Sequence, residues 1–397
     1  MATFRNTRQA EVEAAGEAHH EPAPLGGPFL TPVTATLGGL VLLALVLLGI
    51  RFVYGMGAVS NLNSGYPWGI WVVFDIVIGS AFACGGYAMA LLTYVFNQGR
   101  YHPLVRPALL ASMFGYTLAG VAVFFDLGRW WNFWHTIWPT YVNVNSVMFE
   151  VAACVALYVT VMWIEFTPAF AEKFRWKRLK QGLEKVMFLF LALGIVLPSM
   201  HQSSLGTLLV VAGKKVHPLW WSELLPLFYL ATAILMGLCI VVFEASLSAE
   251  GFRRPRETHI LKGLYRVIIG VTVFFLIARF ADLAWRGELP RLYDSGILSV
   301  MFWVETALFT LPLVVLLHPR LRGDARWLFV TAVCLLVASS LYRVDAMLVG
   351  YNPGDQYSYF PSIPEMLITI GMASIEILAY ILFVRWLPVL PKAEQVG

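Results

Sequence analysis

Long apolar runs separated by short polar segments dominate this sequence. Ten runs approach or exceed the length of about 20 mostly apolar residues that a helix needs to cross a bilayer. They cover residues 30–54, 68–96, 104–126, 146–170, 184–212, 223–247, 261–285, 296–317, 326–348 and 364–388. Strands of a membrane barrel would instead alternate apolar and polar positions over about ten residues. The pattern therefore predicts ten membrane-spanning helices.

Composition agrees with this interpretation. Hydrophobic residues make up 59% of the chain, charged residues 13%, and the mean hydropathy is +0.71. These values lie well outside the range of soluble domains. We expect an all-α integral membrane protein that is surrounded by membrane lipid and binds no nucleic acid.

The distribution of lysine and arginine predicts the orientation. With both termini inside the cell, the inner segments hold most positive charges, including the basic run at residues 173–185. The outer loops then hold only Arg129, Lys214, Lys215, Arg286 and Arg291. Positively charged loops stay in the cytoplasm. We expect a flexible cytoplasmic tail at residues 1–28, a membrane domain at residues 29–390 and a short cytoplasmic tail at residues 391–397.

A weak internal similarity suggests a repeat. The sequence SVMFE at residues 146–150 returns as SVMF at residues 299–302, followed by Glu305, four predicted helices later. An offset of four helices, which is an even number, gives both copies the same orientation, as in a parallel repeat. We expect two four-helix bundles, of helices 2–5 (about residues 68–212) and helices 6–9 (about residues 223–348), with helices 1 and 10 flanking them.

Ionisable residues lie within the apolar runs. They are Asp75, Glu150, His201, Glu244, Arg279, Glu305 and Arg343. Such residues are expensive in a membrane, so each is a candidate for proton or redox chemistry. In the second bundle, the simplest interpretation is that Arg279, Asp282, Glu305 and Arg343 neutralise one another.

Cysteine and histidine positions bear on cofactors. Four single cysteines fall in four different predicted helices, which excludes an iron-sulfur cluster held by this chain. His201 is the one histidine within a predicted span, whereas a membrane haem needs two facing ligands. We expect no haem, no iron-sulfur cluster and no metal site in this chain. A haem-b cytochrome remains the alternative.

The predicted outer loop after helix 3 is rich in aromatic residues. Trp130, Trp131, Trp134 and Trp138 lie within nine residues. An aromatic belt at the membrane interface is one explanation. Their density favours a surface that docks a partner or covers a pocket.

Several motifs resemble the NrfD and polysulfide reductase family of membrane anchors, in particular its hydrogenase-associated members. They are residues 65–86 (GYPWGIWVVFDIVIGSAFACGG), 101–116 (YHPLVRPALLASMFGY), 143–150 (NVNSVMFE), 197–206 (LPSMHQSSLG) and 215–220 (KVHPLW). The resemblance covers residues 25–390. It implies a menaquinone site near the periplasmic face and three periplasmic partners: a ferredoxin-like iron-sulfur subunit and the hydrogenase small and large subunits.

The same resemblance implies roles for individual residues. The family's polar positions match Tyr116, Glu150, His201 and Glu244. We expect His201 and Glu150 to face the quinone headgroup, with Tyr116 and Glu244 extending a proton path towards the cytoplasm. The remaining candidates for the quinone pocket are Asp75, Asp126, Arg129, Trp131 and Gln202.

The sequence thus predicts a subunit of a bacterial inner membrane that passes electrons from an iron-sulfur partner to menaquinone, with proton transfer across the membrane. We expect no catalysis by the chain alone. The same pattern is also compatible with a passive membrane anchor or a secondary transporter. The paired helix breaks of many transporters are missing, because Pro198 has no counterpart in helix 9.

Overall fold

A computed structural model describes residues 22–252, 258–318, 321 and 324–391. Within these residues ten helices are long and apolar enough to cross a membrane, as the sequence predicts. We label them α1 Pro32–Tyr54, α2 Val72–Val95, α3 Gly99–Asp126, α4 Val147–Lys173, α5 Lys177–Lys215, α6 Leu225–Gly251, α7 Ile260–Trp285, α8 Ile297–Leu317, α9 Ala325–Val349 and α10 Ile363–Trp386. The fold is all-α and multi-pass.

Helix α5 differs most from its predicted bounds. It begins at Lys177, whereas the apolar run begins only at residue 184. Its 39 residues correspond to a length of about 58 Å, roughly twice the hydrocarbon thickness. The extra turns are rich in Lys, Arg, Leu and Gln, which favour helix even in water. The basic segment is therefore a helical extension of the span.

Local sequence signals fix the starts of the outer helices. Thr31 and Thr34 form a reciprocal capping box at the start of α1. Ser362 and Glu365 do the same at the start of α10. Each box satisfies backbone N–H groups that the first turn leaves unpaired.

Neighbouring helices in the sequence pack together, and α2 joins the two halves of the protein. Within the series α2 to α9, each helix contacts the next one in the sequence, α9 also packs on α6, and α1 packs mainly on α10. Helix α2 approaches α6 closely at Gly237, where an added Cβ would lie 2.4 Å from the Cys84 carbonyl oxygen. The internal repeat itself stays a prediction.

Two helices contain π-helical turns. Residues Val72–Ile78 begin α2 in this conformation, and Asp345–Val349 end α9 in it. π-Helical turns widen the backbone and occur frequently at functional sites. Here they carry Asp75 and Asp345, two of the carboxyl groups that lie within the membrane-spanning helices.

The ends of the described chain meet. Strand β1 (Pro22–Ala23) pairs antiparallel with strand β2 (Leu390–Pro391), with Ala23 opposite Leu390. The predicted tails at residues 1–28 and 391–397 lie mostly outside the described residues, as do the basic positions 253–257 and 322.

Candidate functional site

A cluster of polar side chains lies enclosed between α2, α3, α5, α6 and α9. We call it the central polar cluster; its members, each 3% exposed or less, are Ser80, Tyr116, His201, Gln202, Thr232 and Arg343. The His201 Nε2 lies 3.1 Å from the Ser80 hydroxyl, and the Gln202 amide donates to the same hydroxyl over 2.9 Å. His201 and Gln202, which are adjacent on α5, thus both contact α2 through the hydroxyl of Ser80.

Arg343 is the charged member of the central polar cluster. Its guanidinium donates to the carbonyl oxygen of Val77 (2.6 Å) and to the side chain of Gln202 (3.0 Å). It also donates to the carbonyl oxygen of Tyr229 (2.9 Å) and to the Thr232 hydroxyl (3.2 Å). All four acceptors are neutral. Arg343, on α9, therefore links α2, α5 and α6. No carboxylate makes a hydrogen bond to its positively charged guanidinium.

One ring nitrogen of His201 remains available. Its Nδ1 is buried and makes no hydrogen bond among the described residues. The imidazole ring does lie within looser hydrogen-bonding reach of the Val151 backbone, in the first turns of α4. Buried polar atoms are rarely left without a partner. The open nitrogen therefore marks the side of the cluster on which a ligand carbonyl would gain a hydrogen bond.

Tyr116 belongs to the same cluster. Its hydroxyl lies 3.4 Å from the Gln202 amide and 3.5 Å from the Cys84 sulfur. Its ring packs edge-on against Tyr158, with 4.6 Å between centroids, and against His201, with 5.7 Å. The structure thus brings together Tyr116, His201 and Gln202.

Glu150 and Glu244 lie apart from this cluster. Glu150 is half-buried in the first turn of α4, one residue from Val151, and its side chain makes no hydrogen bond within the described residues. Glu244 accepts a hydrogen bond from Tyr380 on α10 and interacts electrostatically with Glu376. The expected link from Glu244 to Tyr116 is not formed by direct contact.

The other pocket candidates lie towards the end of the bundle that carries Trp130–Thr136, which we call the tryptophan face. Asp75 is half-buried on α2, and Asp126 at the end of α3 interacts with Arg51. Arg129 is exposed, and Trp131 is 56% exposed. Neither of these two contacts the central polar cluster. Their role in quinone binding stays a prediction.

The sequence interpretation overlooked three charged residues inside the spans. Arg51 on α1 is buried and donates to the carbonyl oxygens of Phe125 and Leu127 at the end of α3. Glu165 on α4 and Glu376 on α10 are half-buried. All three stand within predicted apolar runs, so the criterion that selected Asp75 would have found them.

Charges in the second bundle pair only in part as expected. Arg279 forms a buried ion pair with Glu305, to which Trp220 also donates over 3.1 Å. Asp345 on α9 also interacts with Glu305. Asp282 pairs instead with Arg286, over 2.7 Å. Arg343 takes no part and belongs to the central polar cluster.

Two cavities of the described protein are lined by residues other than the predicted quinone residues. One, of about 400 Å³, opens between α1, α2 and α10 and is lined almost entirely by apolar side chains such as Phe74 and Ile370. The other, of about 290 Å³, lies between α6 and α9 near Arg326. Neither is lined by His201 or Glu150.

Comparison with known proteins is consistent with the predicted resemblance. The sequence model of the family described as "Polysulphide reductase, NrfD" matches residues 58–352. The chain is 48% identical to the "Probable Ni/Fe-hydrogenase 2 b-type cytochrome subunit" of Escherichia coli K12, covering 95% of this chain and 97% of the relative. It is 26% identical to the "Menaquinone reductase, integral membrane subunit" of Nitratidesulfovibrio vulgaris Hildenborough, covering 86% and 88%.

The name of the Escherichia coli relative corrects one expectation. It calls that protein a b-type cytochrome subunit, which contradicts the expectation that this chain carries no haem. Among the described residues, His201 is the one fully buried histidine, and its Nε2 is already bonded to Ser80. These residues do not fit a haem held by two facing histidines.

The length of chain that these matches cover is sufficient to assign the family. The family model covers well over half of the chain, and the Escherichia coli relative aligns along nearly all of it. Ten apolar helices make the protein multi-pass. The chain belongs to the polysulphide reductase, NrfD family of membrane subunits.

Proposed function

We propose that this chain is the quinone-reactive membrane subunit of a nickel-iron hydrogenase complex in a bacterial inner membrane. Its relatives are membrane subunits of hydrogenase and menaquinone oxidoreductase complexes, which supports a redox subunit that works with other chains. Electrons would arrive from a ferredoxin-like iron-sulfur subunit bound, with the hydrogenase small and large subunits, on the periplasmic side. Menaquinone would accept them.

One observation carries this proposal: the open Nδ1 of His201 in an enclosed, positively charged cluster inside the membrane. A quinone carbonyl placed between His201 and the first turns of α4 would accept a hydrogen bond there. Arg343, without a carboxylate partner, would stabilise the negative charge that develops on the oxygen during reduction. Glu150, one residue from Val151, would supply or pass a proton on the same side.

The exposed aromatic residues suggest where the partner binds. Trp131, Ile137 and Trp138, which lie within eight residues of one another in the sequence, are 56%, 75% and 56% exposed. Exposed apolar patches of this kind mark interaction sites. We assign this surface to the iron-sulfur subunit, which would bring its cluster to the end of α4 that begins near Glu150.

Quinone-linked hydrogen uptake by the purified complex tests the proposal. His201→Ala and Glu150→Gln should each lower uptake with a menaquinone analogue by about a hundredfold, because each removes a group that binds or protonates the headgroup. Uptake with a soluble dye should stay unchanged, because the dye takes electrons before they reach this chain. His318→Ala, at an exposed histidine, is the matched control.

The alternative of a passive anchor predicts a different result. An anchor would keep quinone-linked uptake in both variants, since it needs neither side chain for chemistry. Such a result would refute the assignment of the quinone site.

A further inference from the structure

The turn between α4 and α5, on the side of the bundle opposite the tryptophan face, is strongly basic. Lys173 ends α4, Lys177 begins α5, and all six residues from Lys173 to Arg178 are exposed. Four of these six side chains are cationic. The proposed function uses none of them, although a surface with this density of charge attracts anions.

The acid that precedes this turn does not neutralise it. The Glu172 carboxylate accepts hydrogen bonds from Arg106 on α3 (2.8 and 3.1 Å) and from Lys180 in the first turn of α5 (3.2 Å). Within the described residues, no ion pair involves the four cations of the turn, which are Lys173, Arg175, Lys177 and Arg178. The turn therefore presents four positive charges without a counter-ion from the chain.

Three exposed aromatic rings lie beside these charges. Phe174 and Trp176 flank Arg175 and stack on each other, with 5.0 Å between ring centroids. Trp386, at the end of α10, packs edge-on against Phe174, with 5.6 Å between centroids. Tryptophan rings favour the interface between lipid and water. We call the three rings and the four cations the basic aromatic patch.

The lengths of the adjoining helices place the patch at the level of lipid headgroups. The apolar run of α4 ends near residue 170, and that of α5 begins near residue 184. Lys173 thus lies about 5 Å of helical rise beyond the first run, and Lys177 about 10 Å beyond the second. The headgroup layer on each side of a bilayer is about 5–8 Å thick. The patch therefore lies where the phosphates of the lipids lie.

The backbone at Arg175 adopts a conformation that favours glycine. Its φ is 58°, in the left-handed region, which is strained for a residue that carries a Cβ. A glycine would reverse the chain here without strain and without charge. The arginine therefore contributes a charge that the turn itself does not need.

A further cation at this end of α10 lacks partners. The Nε and Nη1 atoms of Arg385, one residue before Trp386, are buried and make no hydrogen bond within the described residues. Buried polar groups are rarely left unpaired. Phosphate oxygens are acceptors that match a guanidinium well. Arg385 and the basic aromatic patch thus both favour a ligand that carries a phosphate group.

We propose that the basic aromatic patch binds the headgroup of an anionic phospholipid. The cations would attract the phosphate, and the three rings would contact the glycerol and the first carbons of the acyl chains. A zwitterionic lipid gains less from the four charges, because its own cation offsets its phosphate. The bound lipid would join the ends of α4, α5 and α10, and the inference does not depend on quinone reduction.

Thermal unfolding of the purified full chain in detergent tests the proposal. Short-chain phosphatidylglycerol should raise the unfolding temperature as its concentration increases, because a ligand of the folded state stabilises that state. Phosphatidylcholine with the same chains should have a smaller effect at the same concentration. High salt should weaken the effect of phosphatidylglycerol, since exposed charges are screened.

Charge variants at the two ends of α5 give a matched comparison. Lys177→Gln/Arg178→Gln should need about twentyfold more phosphatidylglycerol for the same effect, since each charge near a lipid surface contributes about fivefold in affinity. Lys214→Gln/Lys215→Gln removes two adjacent exposed lysines at the other end of the helix and should behave as the wild type. Arg175→Gly should weaken binding about fivefold and, without lipid, should be at least as stable as the wild type, because it relieves the strained turn.

Three results would overturn the proposal. The first is an equal effect of phosphatidylglycerol and phosphatidylcholine on the wild type. The second is wild-type affinity for phosphatidylglycerol in both Lys177→Gln/Arg178→Gln and Arg175→Gly. The third is stabilisation by inorganic phosphate that equals stabilisation by the lipid, which would indicate a site for free anions.

Discussion

Replacing Gly237 by alanine should loosen the contact on which the central polar cluster depends. Gly237 lies on α6 where this helix meets α2. An alanine Cβ would lie 2.4 Å from the carbonyl oxygen of Cys84 and 2.7 Å from its carbonyl carbon. These are backbone atoms of a buried helix, which cannot rotate away as the end of a side chain could. The two helices must therefore separate.

The size of the effect follows from these distances. The contact must lengthen by about 0.6 Å to reach even 3.0 Å, below which Cβ contacts are essentially never seen. Arg343 spans the same two helices, with bonds of 2.6 Å to Val77 on α2 and 2.9 Å to Tyr229 on α6. Overpacking of this kind costs about 1–3 kcal/mol. We expect a loss of that size in the free energy of unfolding.

Unfolding of the purified subunit in detergent measures this loss. Gly270→Ala on α7 is the control, because its added Cβ would have no atom within 4 Å. Alanine favours helix over glycine by up to about 1 kcal/mol, so the control should be as stable as the wild type or more so. Equal stability of the two variants would show that α2 and α6 do not pack as described.

Three further predictions concern other parts of the protein. Arg279→Met should lower the free energy of unfolding by about 3–5 kcal/mol, because it leaves Glu305 buried without its partner. The double variant Arg279→Met/Glu305→Leu, measured in the same detergent, should recover most of this loss. Arg343→Lys should lower the free energy of unfolding by at least about 1.5 kcal/mol, since an ammonium group cannot reach all four acceptors of the planar guanidinium. Thermal unfolding at the wild-type temperature would contradict this prediction. Trp131→Ser should weaken binding of the iron-sulfur subunit by about tenfold or more without changing stability, as measured by co-purification and titration. Trp285→Ser, on a tryptophan that is even more exposed, should not weaken it.

The spans could be predicted from the sequence because membrane crossing depends on length and hydropathy alone. The ten predicted runs coincide with the ten helices within a few residues, apart from the start of α5. There the helix continues into water, where the hydrophobic pattern gives no signal. Good helix formers, such as the Lys, Arg, Leu and Gln residues at positions 177–181, extend a span without lengthening its apolar run.

Contacts between helices could not be predicted in the same way, since they depend on which face of each helix meets which neighbour. Arg343 was grouped with the charges of the second bundle, yet it bonds across to Val77 and Gln202 of the first. Helix α10 was placed outside the bundles, although its Glu376 packs against Gly115 of α3. The hydropathy of a segment indicates that a residue lies in the membrane, but it does not indicate which neighbouring helix that residue faces.

The pairing of α1 with α10 has a consequence for biosynthesis. Helix α1 packs mainly on α10, with the Cβ of Ala44 only 2.1 Å from where a Cβ on Gly371 would stand. Helix α1 therefore meets its main neighbour only after the eight helices between the two have been translated. Until then α1 must wait in lipid, which suits the apolar surface of most of its turns. A ribosome that stalls before α10 would leave a nascent chain in which α1 can still drift, so the insertion of α10 fixes the position of α1.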